Sequence, residues 1–254
     1  MKTSTTKSNF LKFLRAFLVL LFWLFLWEIL SLLIGNQFLL PNIKSTAREL
    51  FLLLSDTDSY RFMLLTLLRV CFGLLLGIIL GVGLGILAHT SSIVHSLLSP
   101  FITVIRSTPV ASFIVVLWVI FSGDVLSVFV AFLMVMPIIW QSTVDGFNSI
   151  DKSLEEVALI FRFGYMKRLR LIVFPALLKF LLPSIITSVG LAWKAEIAAE
   201  IIAYTKNSIG QEINDAKYFM ETPRVFAWTV IVILFSIILE RTTKFILLRF
   251  KNEH

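Results

Sequence analysis

The 254-residue sequence contains a single cysteine, Cys71, and only three histidines. One cysteine excludes an intramolecular disulfide and a cysteine-built metal cluster, and it leaves the redox compartment open. His89, His95 and His254 have no metal-ligand spacing, and neither H-E-x-x-H nor G-x-S-x-G occurs. Hydrolase and metalloprotease chemistry therefore has no support. There is no Gly-Lys dipeptide anywhere, so the phosphate cradle G-x-x-x-x-G-K-[ST] is missing as well. Charged residues make up only 15% of the chain, whereas hydrophobic residues make up 58% and the mean hydropathy is +0.91. Such values describe an integral membrane protein. The apolar runs are continuous rather than alternating, which selects helices over a barrel.

The net charge of +7 is compatible with nucleic-acid binding, but membrane proteins gather Lys and Arg in cytoplasmic loops for topological reasons. No nucleic-acid partner is expected. The opening MKTSTTKSNFLKFLR, followed by AFLVLLFWLFLWEILSLLI, has the charge order of a signal peptide. Its apolar run is too long for one, and no small-residue cleavage site follows, so an uncleaved first span is expected.

Hydropathy predicts an all-α polytopic protein with spans at about 16–34, 63–88, 101–121, 125–145, 176–203 and 225–246. Residues 35–62, which include Pro41 and the polar run SDTDSY, connect the first two spans and have room for a short interfacial helix. The even number of spans puts both termini on one side. That side holds the basic tails and the loop before the fifth span; the other has only Lys44, Arg48, Arg61, Lys206, Lys217 and Arg224. Both termini are therefore expected in the cytoplasm of a multi-pass cell-membrane protein. Gly73, Gly77, Gly81 and Gly85 form a ladder on the second span that allows close approach of another helix.

The stretch EEVALIFRFGYMKRLRLIVFP, residues 155–175, is a basic amphipathic island in an otherwise apolar chain. Ser153 and Glu156 fit a capping box, which starts a helix at Ser153. Leu154, Val157, Ala158 and Phe161 then form one apolar stripe. Gly164 offers a break, and a second short segment is expected to run to Pro175, ahead of the fifth span. Two readings fit these residues: an ordinary positive cytoplasmic loop, or a docking element for a cytoplasmic partner.

Arg69, Arg106, Lys194, Glu196 and Glu200 fall within or near spans, where a central charge costs about 2.5 to 3.5 kcal/mol on insertion scales. Trp193, Glu196, Glu200 and Tyr204 lie close to one face of the fifth span. Either they line a polar path, or Glu196 or Glu200 pairs with Arg106 or Arg69 in an intramembrane salt bridge. If Glu196 faces a path, it disfavours an anionic solute and favours a cationic or neutral one. Ser107, Thr108 and Pro109 are expected to open a helix beside Arg106.

The island resembles the EAA loop of permease subunits of ATP-binding-cassette (ABC) importers. Glu156, Val157, Ala158 and Pro175 occupy matching positions, while Arg162 stands where that pattern has Gly, which moves the expected turn to Gly164. SPFITVIRSTPVASFIVVLW (99–118), GLAWKAEIAAEIIA (190–203) and SIGQEINDAKYFMETPRVFAWT (208–229) are similar to segments of the branch that includes nitrate, sulfonate, taurine and bicarbonate permeases. The resemblance implies a type I importer transmembrane domain over residues 60–245. Residues 1–59 then provide the N-terminal tail, first span and external connection, and residues 246–254 a cytoplasmic tail. It further implies that Glu156, Ala158, Arg162 and Gly164 contact a separate ATPase, and that Arg106 and Thr108 border the translocation path; Trp193, Glu196 and Glu200 are assigned to that path only by their shared helix face, and the resembled segment has a small residue where Glu196 stands. The implied partners are two ATPase subunits holding ATP and Mg, an extracytoplasmic solute-binding protein, a second permease copy in a homodimer, and membrane lipid. This chain itself is expected to be no enzyme and to hold no cofactor. The implied solute is nitrate-, sulfonate- or taurine-like, or vitamin-precursor-like. A stand-alone helical channel or secondary transporter is the rival from the residues alone.

Overall fold

A computed structural model of the chain describes residues 3–252, with side chains from 14 to 247 and at 249. The helices in chain order are α1 (Thr3–Ile34), α2 (Ile43–Ser55), α3 (Thr57–Thr90), α4 (Ser92–Ser107), α5 (Val110–Trp118) and α6 (Gly123–Asn148). They continue as α7 (Lys152–Ile160), α8 (Tyr165–Arg168), a π-helical segment (Leu169–Val173), α9 (Phe174–Ala203), α10 (Ile209–Tyr218) and α11 (Thr222–Asn252). Among the described residues five stretches are long and apolar enough to cross a membrane: Leu14–Ile34, Thr57–Thr90, Gly123–Asn148, Tyr165–Ala203 and Thr222–Leu247.

The expected third span, 101–121, is not one straight helix. α4 and α5 meet at an angle of 104°. The cause lies in the junction: Pro109 cannot donate a backbone hydrogen bond, and its ring drives the preceding Thr108 out of the helical region, to ψ 132. Ser107 and Thr108 thus end one helix, and Pro109 caps the next.

The chain divides into two compact units. The first comprises Met1–Tyr60 and Glu212–Ile231. In it α1 ends at Gly35, whose positive φ (+62) suits the residue just beyond a helix, with its N–H donating to the Ser31 carbonyl. The chain then folds back along α1: Trp27 Nε1 donates to the Pro41 carbonyl (2.9 Å), Ser31 Oγ to the Leu40 carbonyl (3.0 Å), and the Ile43 N–H to Glu28 (3.0 Å). Asn42 caps α2, which realises the short helix expected between the first two spans.

The second unit, Arg61–Gln211 with Val232–His254, holds the main core. α6 is its centre, with Leu126, Val130, Met136 and Trp140 buried among Ile102, Ile114 and Ala199 of α4, α5 and α9. α6 packs most extensively on α9. The glycine ladder of α3 lies on the other contact of α6. A Cβ added at Gly73, Gly77, Gly81 or Gly85 would come within 2.6, 2.6, 2.8 or 2.5 Å of the Cβ of Ala131, Val135, Ile139 or Thr143 respectively. The four-residue repeat on α3 thus meets a four-residue repeat on α6, and the backbones approach because one side has no side chain.

The fifth span begins earlier than 176. α8 runs through the π-helical segment directly into α9, so Pro175 lies within a continuous helix and does not separate two segments. The wider π turn, closed by Phe174 N–H to the Leu169 carbonyl, makes room for a proline ring that would collide with the carbonyl four residues back in a regular helix.

Candidate coupling surface and intramembrane charge node

The helix of the island begins at Lys152, not Ser153. Asp151 is its cap, with Oδ1 accepting from the Ser153 N–H at 2.9 Å. An aspartate two residues upstream offers a better acceptor than the Ser153 hydroxyl, so it sets the start. Bonds from the Ser153 N–H and hydroxyl hold the Asp151 carboxyl below the usual carboxylate range. The cap's contribution is therefore full at neutral pH and is lost as acidification passes below that range.

The turn that ends α7 lies at Arg162, not Gly164. Arg162 has φ 49. Its N–H donates to the Leu159 carbonyl (3.1 Å) and the Phe163 N–H to the Ala158 carbonyl (2.8 Å), the pair of bonds that defines a Schellman cap. Arg162 thus stands in the left-handed position that glycine fills most easily. Gly164 has an ordinary extended conformation (φ −64, ψ 158) and open space around its α-carbon, so nothing there requires glycine. Arg162→Gly is expected to stabilise the turn by about 1 kcal/mol, and β-branched Arg162→Val to weaken it. Limited proteolysis within residues 151–168 checks this: cleavage slows in the first variant and accelerates in the second.

Two further contacts stiffen the island. Glu155 pairs with Arg168 across the turn, and Lys167 Nζ sits 4.1 Å from the Phe163 ring centroid. Of the expected apolar stripe only Ala158 is buried, beneath the cap; Leu154, Val157 and Phe161 are exposed. Leu159 (77% exposed), Ile160 (76%), Tyr165 (80%) and Met166 (70%) extend the bare apolar surface around the turn. Glu156 is exposed at its margin.

The second cluster lies where α3, α6 and α9 meet. Arg69 Nη1 binds Glu200 Oε1 at 2.8 Å and Arg69 Nη2 binds Asp124 Oδ1 at 2.7 Å. The same guanidinium donates to the carbonyls of Lys206 (3.2 Å) and Asn207 (3.4 Å). Glu200, 0% exposed, also accepts from Thr66 Oγ1 (2.8 Å) and from the Gly210 N–H (3.1 Å), while the Thr66 hydroxyl accepts from the Ile209 N–H (3.2 Å). One buried ion pair thus ties two helices to the start of α10. Of the pairings open to the sequence, the structure contains Arg69 with Glu200. Asp124 and Thr66 were not among the residues singled out, although Thr66 lies one turn before Arg69 on the same face.

The other residues singled out are dispersed. Trp193 is fully buried, donates Nε1 to the Val232 carbonyl (3.0 Å) and stacks on Phe235. Glu196 is also fully buried, and among the described residues neither carboxylate oxygen has a hydrogen-bond partner. Tyr204 leaves the stripe by ending α9 in the left-handed conformation (φ 52). Lys194 and Arg106 are exposed, Arg106 in the last turn of α4, where a cation favours the helix terminus. The Thr108 hydroxyl is turned back onto the Val104 carbonyl (2.8 Å).

An all-helical membrane domain, with five spanning stretches and one bent helix pair among the described residues, fits the class to which its family and relatives assign the chain: the transmembrane permease of an ABC importer. The fold matches that of a crystal structure of an amino acid ABC transporter with histidines, with a TM-score of 0.61 at 17% identity, covering 78% of this chain and 94% of that one. Residues 73–252 match the family described as binding-protein-dependent transport system inner membrane component, and the chain belongs to it. It is 27% identical over 241 residues to a Bacillus subtilis (strain 168) protein described as an aliphatic sulfonates transport permease, SsuC, across 90% of this chain and 84% of that one. It is also 21% identical over 220 residues to the taurine transport system permease protein TauC of Escherichia coli (strain K12), across 84% of this chain and 80% of that one.

Proposed function

We propose that this permease forms the membrane path of an ATP-driven importer and that residues 151–168 are its docking element for a partner ATPase. The bare apolar surface around the Arg162 turn carries this reading. A rigid turn that exposes Leu159, Ile160 and Phe161 ahead of the fifth span, with Tyr165 and Met166 in that span's first turn, has the chemistry of a protein interface. Its continuation through the π-helical segment into α9 supplies a stiff connection by which ATPase closure moves a spanning helix. Two copies of the permease pair, with two ATPases holding ATP and Mg on the cytoplasmic side, where both termini also lie. A solute-binding protein delivers the cargo from the opposite side.

Sulfonate and taurine permeases among the relatives support a small sulfonate-like anion as the solute. The expected obstacle was repulsion by Glu196, one of the two carboxylates on the α9 stripe. Both carboxylates are enclosed within the chain, which removes that objection. Glu156→Lys and Phe161→Glu are expected to lower ATPase co-purification about thirtyfold and to abolish uptake, with membrane insertion unchanged. Pull-down of the ATPase from membranes that contain equal amounts of each permease variant makes the measurement; undiminished co-purification would sink the proposal.

A further inference from the structure

Just beyond the island, α9 and the end of α11 enclose a groove of about 920 Å³. Its lining is apolar apart from two cations. Arg170 lines the end nearest the basic loop, Lys179 follows farther along the same helix with Phe174 and Leu178 between them, and Leu182 and Ile186 continue towards the membrane interior, with Leu247 of α11 opposite. Neither cation has an acidic partner among the described residues, and Glu155 of the island is engaged by Arg168. A cation within the apolar length of a spanning helix is costly unless an anion meets it. The volume matches the upper range of small-molecule sites, about 300–1,000 Å³, and the groove opens on the surface of a membrane-spanning helix, where acyl chains are the solvent.

We infer that this groove holds one anionic phospholipid, with its phosphate between Arg170 and Lys179 and its acyl chains along Leu178, Leu182 and Ile186. A basic pocket between spanning helices at their cytoplasmic end is suited to an acidic headgroup. The apolar continuation excludes free phosphate as the natural occupant, because a small anion leaves the deeper part of the groove unfilled. The lipid would brace the π-helical segment that joins the docking element to α9. Its headgroup position rests on the cytoplasmic placement of the island, but its binding requires no ATPase.

The full-length permease, purified from bilayers of equal phosphatidylglycerol and phosphatidylcholine, is examined by native mass spectrometry. One phosphatidylglycerol per chain is expected to be retained, about tenfold in preference to phosphatidylcholine. The double substitution Arg170→Gln with Lys179→Gln removes the preference, Arg170→Lys keeps it, and Lys44→Gln, an exposed cation elsewhere, leaves it unchanged. Gel filtration of each variant checks assembly. Equal retention of both lipids by the wild type, or an undiminished preference in the double variant, overturns the inference. So does efficient disulfide formation between copies carrying Leu182→Cys in a Cys71→Ser background, which assigns the groove to a second permease chain. Loss of ATPase co-purification leaves all of these readouts intact, so the two proposals fail separately.

Discussion

Gly77→Leu or Gly81→Leu is expected to leave almost no correctly assembled permease. At these positions the first atom of any side chain already lies 2.6 or 2.8 Å from the Cβ of Val135 or Ile139. Those atoms are fixed to the α6 backbone, so relief requires displacing the whole helix, which also carries the core against α5 and α9. Even alanine overpacks each rung at about 1 to 3 kcal/mol, against a total stability of about 5 to 15 kcal/mol for a typical domain. In lipid the loss is not offset by expelling water, because packing itself holds the helices together. Gly83→Ala is the control: that α-carbon faces open space on the same helix, and alanine improves helix propensity there. Fluorescence-detected gel filtration should show aggregated material for the leucine variants, lower apparent melting temperatures for Gly77→Ala and Gly81→Ala, and no loss for Gly83→Ala. Partial recovery of Gly77→Ala by Val135→Gly ties the effect to that rung.

Arg69→Met is expected to be nearly as damaging. It leaves Glu200 fully buried beside Thr66 and Gly210 with no cation, and breaking a buried ion pair on one side costs about 3 to 5 kcal/mol. It also strips the carbonyls of Lys206 and Asn207 of their donor, which loosens the turn into α10. Removing both charges together, as Arg69→Met with Glu200→Leu, should recover part of the loss, since the desolvation of the pair disappears with it. Glu196→Gln makes the contrast. It keeps the shape, and no described group donates to the carboxylate it replaces, so stability should not fall. Thermal inactivation of the purified permease ranks the three variants against the unsubstituted protein. A Glu196→Gln protein as unstable as Arg69→Met would show that Glu196, not Glu200, carries the structural charge.

Much of this architecture was legible in the residue order. Five spans follow from runs of apolar residues because lipid forces every backbone polar group into a local helix, which makes hydropathy nearly sufficient. The glycine ladder was legible for a related reason: a period of four places small residues on one face whatever they face. The third span broke the rule. Its hydropathy is continuous, but the bend at Thr108 and Pro109 is a backbone event that an averaged apolar run does not register. In the island, spacing located the short helix, but its cap is Asp151 rather than Ser153 and its closing turn lies at Arg162 rather than Gly164, where stronger local signals prevail.

By itself, the sequence determined that this chain is a helical membrane protein and roughly where most of its spans lie, because those properties depend on composition and local period. Only the tertiary structure decided which carboxylate on α9 meets a cation. Glu196 and Glu200 are one turn apart on the same helix, yet Glu200 receives Arg69, Thr66 and the Gly210 N–H while Glu196 has no donor among the described residues. The difference arises from α3 and the start of α10, segments remote in sequence from each other, and pairing of that kind is set by packing rather than by spacing along one helix.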